Sequence, residues 1–241
     1  MQLFSSTEWE QIGDEIHVWR AALDREEEVL RQLEATLSLE EKARADRFHF
    51  VNDRNRFVVA RGLLRELLGR YLHQSPAGLE FSYGPHGKPF LSGGNASSGL
   101  CFNLSHSSGL VVYAIAREQN LGIDVEHVRP DSAGEDIAKR YFSAREVNDL
   151  QSLPPDARVE GFFHCWTRKE AYLKARGMGL QLPLDSFSVS LLPDRPAQFL
   201  GGVEPCWHLA AYHPAEDYVA AVVYDGAPCS IKYFSVDPQL K

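Results

Sequence analysis

Two charged clusters in this chain combine the residue types that handle phosphate groups and divalent metal ions. The first is Gly122-Ile123-Asp124-Val125-Glu126, and the second is Trp166-Thr167-Arg168-Lys169-Glu170-Ala171-Tyr172-Leu173-Lys174. Strand periodicity in the first puts Ile123 and Val125 on one face and Asp124 and Glu126 on the other. Two carboxylates on one face repel unless a cation lies between them, and a hard divalent ion bound by oxygens meets that need. The competing reading is a pair of solvated acids on an edge strand. The second cluster predicts a helix, because it holds good helix formers and no Pro or Gly before Gly177. Trp166, Glu170 and Leu173 share one side of that helix, with Lys174 one turn beyond Glu170. Glu four residues before Lys is also an ordinary surface pair, worth about 0.3–0.5 kcal/mol. The flanking aromatic and aliphatic residues point to partial burial, where a carboxylate makes a better general base. Metal-binding acids beside a Glu/Lys pair are equipment for phosphoryl transfer.

Other segments supply supporting chemistry. Glu146, in Phe142-Ser143-Ala144-Arg145-Glu146, is a candidate third metal ligand. Ser143 and Glu146 also have the spacing of a capping box, which the spacing by itself favours. Asn103-Leu104-Ser105-His106-Ser107-Ser108-Gly109 offers hydroxyls, an imidazole and backbone N–H groups for phosphate oxygens, or else a polar turn. It lacks the Gly-x-Ser-x-Gly pattern of a catalytic serine. Gly87-Lys88-Pro89 presents one cation on a rigid turn. Arg44, Arg47, Arg54, Arg56 and Arg61 crowd two helices; most fit solvated faces, and one or two could clamp phosphate.

The elements that position these residues follow from patterning. A strand is predicted over 15–21 and an acidic amphipathic helix over 26–37. Ser38-Leu39-Glu40-Glu41 is a capping box that starts a further helix running to about Phe50. A longer helix over 53–72 has Phe57, Leu64, Leu67, Leu68 and Tyr71 on its apolar side. Short strands amid turns follow, the first over 79–81, then a Gly84-to-Pro89 turn and a loop over 92–99. Apolar strands over 110–116 and 218–224 each close a similar succession of helices and turns. A last strand is expected over 231–236. Two similar α+β halves are therefore expected, 1–119 and 120–241, with the acids of the first cluster at their junction, where ligand sites are favoured.

Bulk properties narrow the function class. The chain has 241 residues, 44% hydrophobic and 24% charged, which fits a soluble globular protein with a real core. The net charge of −8 argues against a general nucleic-acid binder. The stretch 139–176 is locally basic, a place for an anionic substrate or acidic partner to dock. No apolar run has membrane-span length, and no signal peptide is visible. Cys101, Cys165, Cys206 and Cys229 are scattered, without metal-site or disulfide spacing, so a reducing cytoplasm is expected.

In order and separation, Phe102-Asn103-Leu104-Ser105-His106-Ser107, the 122–126 cluster and the 166–174 cluster resemble the signatures of the Sfp-type 4'-phosphopantetheinyl transferases. Phe142 to Glu146 and Gly87-Lys88-Pro89 match two further family segments. The resemblance is strong over 87–179 and looser around Arg61-Gly62-Leu63-Leu64-Arg65. It implies an α+β fold of two similar subdomains related by a pseudo-twofold axis, with coenzyme A in the cleft between them. It implies Mg²⁺ held by Asp124, Glu126 and Glu146. Glu170 would take the proton from a serine of an apo acyl or peptidyl carrier protein, and Lys174 would steady the pyrophosphate and departing 3',5'-ADP. Ser105 and His106 would contact phosphates, Lys88 the nucleotide end, Arg47 and Arg61 the 3'-phosphate, and Lys169 the coenzyme. The carrier is expected against 176–182, with Arg140 or Arg145 at the rim, on a monomeric enzyme without nucleic-acid or membrane partners. A coenzyme A-binding module without turnover and a Mg²⁺-dependent phosphohydrolase are the alternatives.

Overall fold

The computed structural model describes residues 12–130, 134–193 and 195–237. Its elements repeat in order. The first half runs β1 (Ile16–Ala22), α1 (Glu27–Thr36), α2 (Leu39–Ala45), α3 (Val51–Tyr71), β2 (Phe81–Tyr83), β3 (Pro89–Leu91), β4 (Leu100–Ser107) and β5 (Leu110–Arg117). The second runs β6 (Leu121–His127), α4 (Glu135–Tyr141), α5 (Ala144–Ser152), α6 (Arg158–Arg176), β7 (Ser188–Val189), β8 (Phe199–Gly201), β9 (Trp207–Tyr212) and β10 (Tyr218–Asp225). In each half the first strand pairs antiparallel with the last, and the last with the one before it: β1-β5-β4 and β6-β10-β9. A final strand, β11 (Ile231–Ser235), returns from the second half and pairs parallel with β1 in the first sheet.

Period-two patterning makes four layers of this. Val18, Val112, Ala114, Ile123, Val125, Ala220 and Val222 turn inward and pack the two sheets against each other. The alternate residues Trp19, Ala21, Val111, Tyr113 and Ile115 face α3, packing on Leu63, Leu64, Leu67 and Leu68. Val219, Ala221 and Val223 face α6 on the opposite side. Strands covered on both faces must be apolar throughout, which is why β5 and β10 read as unbroken hydrophobic runs.

Boundaries shift by a few residues from the expected ones. The helix begun by the Ser38 capping box ends at Ala45 instead of near Phe50, because Phe50 is already extended as the residue that opens α3. The strand expected over 79–81 lies at Phe81–Tyr83, and the Gly84–Pro89 turn joins it to β3, closed by Gly84 N–H donating to Lys88 O at 2.9 Å. The helix carrying the second charged cluster starts earlier, at Arg158, and stops where Gly177 adopts a left-handed φ of 62°.

One glycine sets how these layers meet. A Cβ at Gly122 would lie 2.1 Å from Ala171 O and 2.3 Å from Ala175 N, so α6 rests directly on the β6 backbone. Gly122, Asp124 and Glu126 face that helix, while Ile123 and Val125 enter the inter-sheet core. Replacing Gly122 with Ala must push the helix off the strand; a loss of about 3 kcal/mol or more is expected, the upper end for overpacking. Thermal unfolding checks this, and an unchanged melting temperature would refute the close crossing.

Candidate active site

β4 and β6 come from different halves and are joined through side chains. Asn103, Ser105 and Ser107 alternate along β4 and so point the same way. Asn103 Oδ1 accepts from Ile123 N–H at 2.9 Å, Ser105 Oγ donates to Asp124 Oδ1 at 2.8 Å, and Ser107 Oγ donates to Glu126 Oε2 at 2.7 Å. Ser107 Oγ also accepts from His127 N–H at 3.2 Å. The polar residues of the Asn103–Ser107 motif thus clip the halves together and orient both acids.

The acids gather at the end of this clip. Asp124, Glu126, Glu170 and Lys174 line one cavity of about 850 Å³, together with Ser105, His106, Asp136, Ile137, Arg140, Tyr141, Trp166 and Leu184. Lys174 Nζ donates to Asp124 Oδ1 at 2.6 Å and to Ser105 Oγ at 2.7 Å. Asp124 is 4% exposed, and its Oδ2 is buried without a hydrogen-bond partner among the described residues. Burial, then the Asp124 charge, pushes Glu170 up to about 6 against the opposing pull of Lys174. Burial likewise raises Glu126, with Ser107 opposing. An orphaned carboxylate oxygen beside two acids that resist ionisation is the donor set a hard cation satisfies.

A second cavity of about 450 Å³ opens on the other side of Glu170 and Lys174. Its walls include Arg44, Phe57, Arg61, Tyr83, His86, Lys88, Ser105, His106, Leu173 and Gly177. Arg61 pairs with Glu41 and donates to Tyr83 OH at 2.6 Å, its guanidinium stacked over Phe81. Glu41 also takes Arg65 at 2.6 Å, so two guanidiniums share one carboxylate and a net positive charge remains. Lys88 Nζ donates to Leu121 O at 2.8 Å and Ala175 O at 3.3 Å, tying the turn to β6 and the end of α6; burial lowers it to about 8. His106 stands exposed at the shared mouth, its imidazole lowered by shielding and then by Lys174.

Glu146 and Lys169 are placed elsewhere. Both are 0% exposed and pair with each other at 2.8 Å. Glu146 accepts from Ser143 N–H at 2.7 Å, completing the capping box, and from Val189 N–H at 2.8 Å. Lys169 spends its remaining donors on Leu184 O and Phe187 O, each at 2.6 Å. The expectation that Glu146 joins Asp124 and Glu126 is therefore corrected. Its oxygens are used within the core, and Glu170 is the third acid of the cluster. The same burial removes Lys169 from any coenzyme contact. Arg47 is exposed outside the basic cavity, whose walls hold Arg44 and Arg61 instead. Tyr83 had no signal in the sequence, since an aromatic before a Gly-Pro turn is ordinary. In the expected docking segment, Gly177 and Gly179 line the basic cavity, whereas Arg140 lines the other; the Leu180 side chain lies outside the described residues.

Two similar α+β halves meet at a cluster of acids beside a basic cavity. Family comparison makes this specific. Residues 120–223 match the model of the 4'-phosphopantetheinyl transferase superfamily, and residues 19–118 that of the 4'-phosphopantetheinyl transferase N-terminal region. The 4'-phosphopantetheinyl transferase HetI of Nostoc is 45% identical over 215 residues, 89% of this chain and 90% of that protein. A 4'-phosphopantetheinyl transferase of Bacillus subtilis is 37% identical, covering 78% and 82%. The transferase Sfp of Bacillus subtilis strain 168 is 33% identical, covering 85% and 80%. The chain belongs to the 4'-phosphopantetheinyl transferase superfamily and is an enzyme of that class.

The placement of Glu146 predicts a split between two variants. Glu146→Gln strands the buried Lys169 charge and should reduce stability by about 3–5 kcal/mol. The Mg²⁺ concentration giving half-maximal activity should stay unchanged in the folded fraction. Asp124→Asn should do the reverse. Denaturant melts and a Mg²⁺ titration of each variant decide it, and a shifted Mg²⁺ requirement with intact stability in Glu146→Gln would restore Glu146 as a ligand.

Proposed function

We propose that this protein transfers the 4'-phosphopantetheine group of coenzyme A to a serine of an apo acyl or peptidyl carrier protein and releases 3',5'-ADP. One observation carries the reading. Ser105, His106, Glu170 and Lys174 line both cavities, the basic one and the acidic one flanked by Ile137, Tyr141 and Trp166. A polyphosphate donor entering from one side and a hydroxyl acceptor from the other would meet at those residues. The basic cavity has the volume of a small-ligand site, and Arg44, Arg61 and Lys88 give it the charge that coenzyme phosphates require.

Asp124 and Glu126, with Glu170 beside them, would hold Mg²⁺, which when bound neutralises charge on the pyrophosphate. Lys174, fixed by Asp124 and Ser105, is placed to steady the leaving phosphate. The carrier serine oxygen forms the new bond to phosphorus as the bond to the 3',5'-ADP oxygen breaks. Its proton passes to Glu170, whose raised affinity for a proton suits a general base, a role worth about 10²–10⁴-fold. The four thiols are unpaired, which suits the cytoplasm, and no helix among the described residues is long and apolar enough to cross a membrane.

Intact-mass analysis of several apo carriers, incubated with enzyme, coenzyme A and Mg²⁺, should show the phosphopantetheine increment. Chelator or Asp124→Ala should abolish it. Glu170→Gln should lower kcat at least 100-fold, within the usual general-base contribution, with little change in coenzyme A affinity. Coenzyme A cleavage that proceeds without any carrier would instead mark a hydrolase.

The carrier contact is proposed on a different face from the expected 176–182 segment. Ile137 is 38% exposed beside Arg140, Tyr141 and Trp166, on the cavity away from the basic cleft. Apolar anchors of this kind govern residence and rim charges govern approach. Ile137→Asp should raise KM for the carrier roughly tenfold, about 1.4 kcal/mol, and leave KM for coenzyme A unchanged. Steady-state kinetics with the opposite pattern would place the carrier elsewhere.

A further inference from the structure

Away from the acidic cluster, α6 carries a second group of potential ligands. Glu160 and His164 lie one helical turn apart on its first half, with His164 Nε2 3.4 Å from Glu160 Oε1. His213, in the turn between β9 and β10, brings its ring to 5.6 Å from that of His164, edge to face. A ligand atom from each of the three lies within 4.8 Å of the others. The turn itself is pinned, because Arg20 donates to Pro214 O.

We infer that Glu160, His164 and His213 form a site for a transition-metal ion of the zinc type, separate from the carboxylate cluster, that fastens the catalytic helix to the β9–β10 turn. Two imidazoles and one carboxylate are three of the four ligands of a tetrahedral zinc site, leaving water as the fourth. Bonds of about 2.0–2.1 Å to a tetrahedral ion put neighbouring ligand atoms about 3.3 Å apart. The Glu160–His164 pair has that separation already, and His213 is exposed on its turn, with room to close the rest.

The donor chemistry selects the ion. Imidazole suits zinc, nickel, copper and cobalt, whereas Mg²⁺ takes oxygen ligands, so the catalytic ion does not compete for this site. The nearby Arg168 is 5% exposed and donates to Ser190 O.

The test uses metal-free full-length enzyme in excess Mg²⁺. Zn²⁺ titrated calorimetrically should bind at a single equivalent and raise the melting temperature by mass action. Co²⁺ should give the intense visible absorption of a tetrahedral nitrogen–oxygen site. His213→Ala, an exposed turn residue, and Glu160→Gln should each weaken Zn²⁺ binding on the order of 100-fold, comparable with the larger effects of altering a metal's surroundings. Both variants should retain transfer activity in Mg²⁺, and Asp124→Ala should retain the Zn²⁺ site. Absence of Zn²⁺ binding, binding unchanged in both variants, or binding lost only in Asp124→Ala would each overturn the inference.

Discussion

The approach of α6 to β6 at Gly122 is the constraint from which the geometry of the site follows. With no side chain at that position, helix and strand meet backbone to backbone, Gly122 lying under Ala171 and Ala175. Two residues along the strand comes Asp124, and one helical turn from Ala171 to Ala175 flank Glu170 and Lys174. The ion pair of Lys174 with Asp124 at 2.6 Å is therefore a consequence of the crossing. A bulkier residue at Gly122 would separate the lysine from its carboxylate and disperse the acidic cluster together.

The cluster is held against its own repulsion from two directions. From the first half of the chain, Ser105 and Ser107 donate to the two β6 carboxylates. From the second, Lys174 supplies a positive charge between Asp124 and the basic cavity. What remains unsatisfied is the buried Asp124 Oδ2 and the ionisation of Glu126 and Glu170, which burial opposes. Like charges left partly uncompensated in a cleft are stable only while the surrounding fold over-determines their positions, and that is the function of the serine clip and the four-layer packing.

The same structural device braces the long helix of each half. In the first, the capping-box residue Glu41 accepts from Ser38 N–H at 2.9 Å and pairs with Arg61 and Arg65 of α3. In the second, Glu146 caps at Ser143 and pairs with Lys169 of α6. Each carboxylate satisfies a helix N-terminus and neutralises a buried cation on the helix that covers its sheet. Buried pairs of this kind add little net stability against an apolar core, but removing either member leaves an unpaired charge. With the repeated strand order, this parallel supports two halves built on one plan, distinguished by what their long helices carry toward the cleft: Arg61 on α3, and Glu170 and Lys174 on α6.

The sequence by itself determined the local chemistry. Alternation assigned Asp124 and Glu126 to one strand face, the Ser-x-x-Glu spacings marked both capping boxes, and the apolar runs over 110–116 and 218–224 announced two strands. These features depend on neighbours along the chain, which periodicity can read. Only the tertiary structure decided which acids meet. Glu146 and Glu170 are both carboxylates on helices near basic residues; the Ser-x-x-Glu spacing marks Glu146 as a cap, but a capping carboxylate can still reach a ligand, so spacing does not decide which of them joins Asp124. Burial separates them: Glu146 faces the core and is consumed by Lys169, Ser143 and Val189, while Glu170 faces the cleft beside Asp124. The choice of Arg44 over Arg47, the return of β11 to the first sheet and the meeting of His213 with α6 were equally beyond reach of the sequence. Each is a contact between segments far apart in the chain, fixed by how the layers pack rather than by the residues adjacent to them.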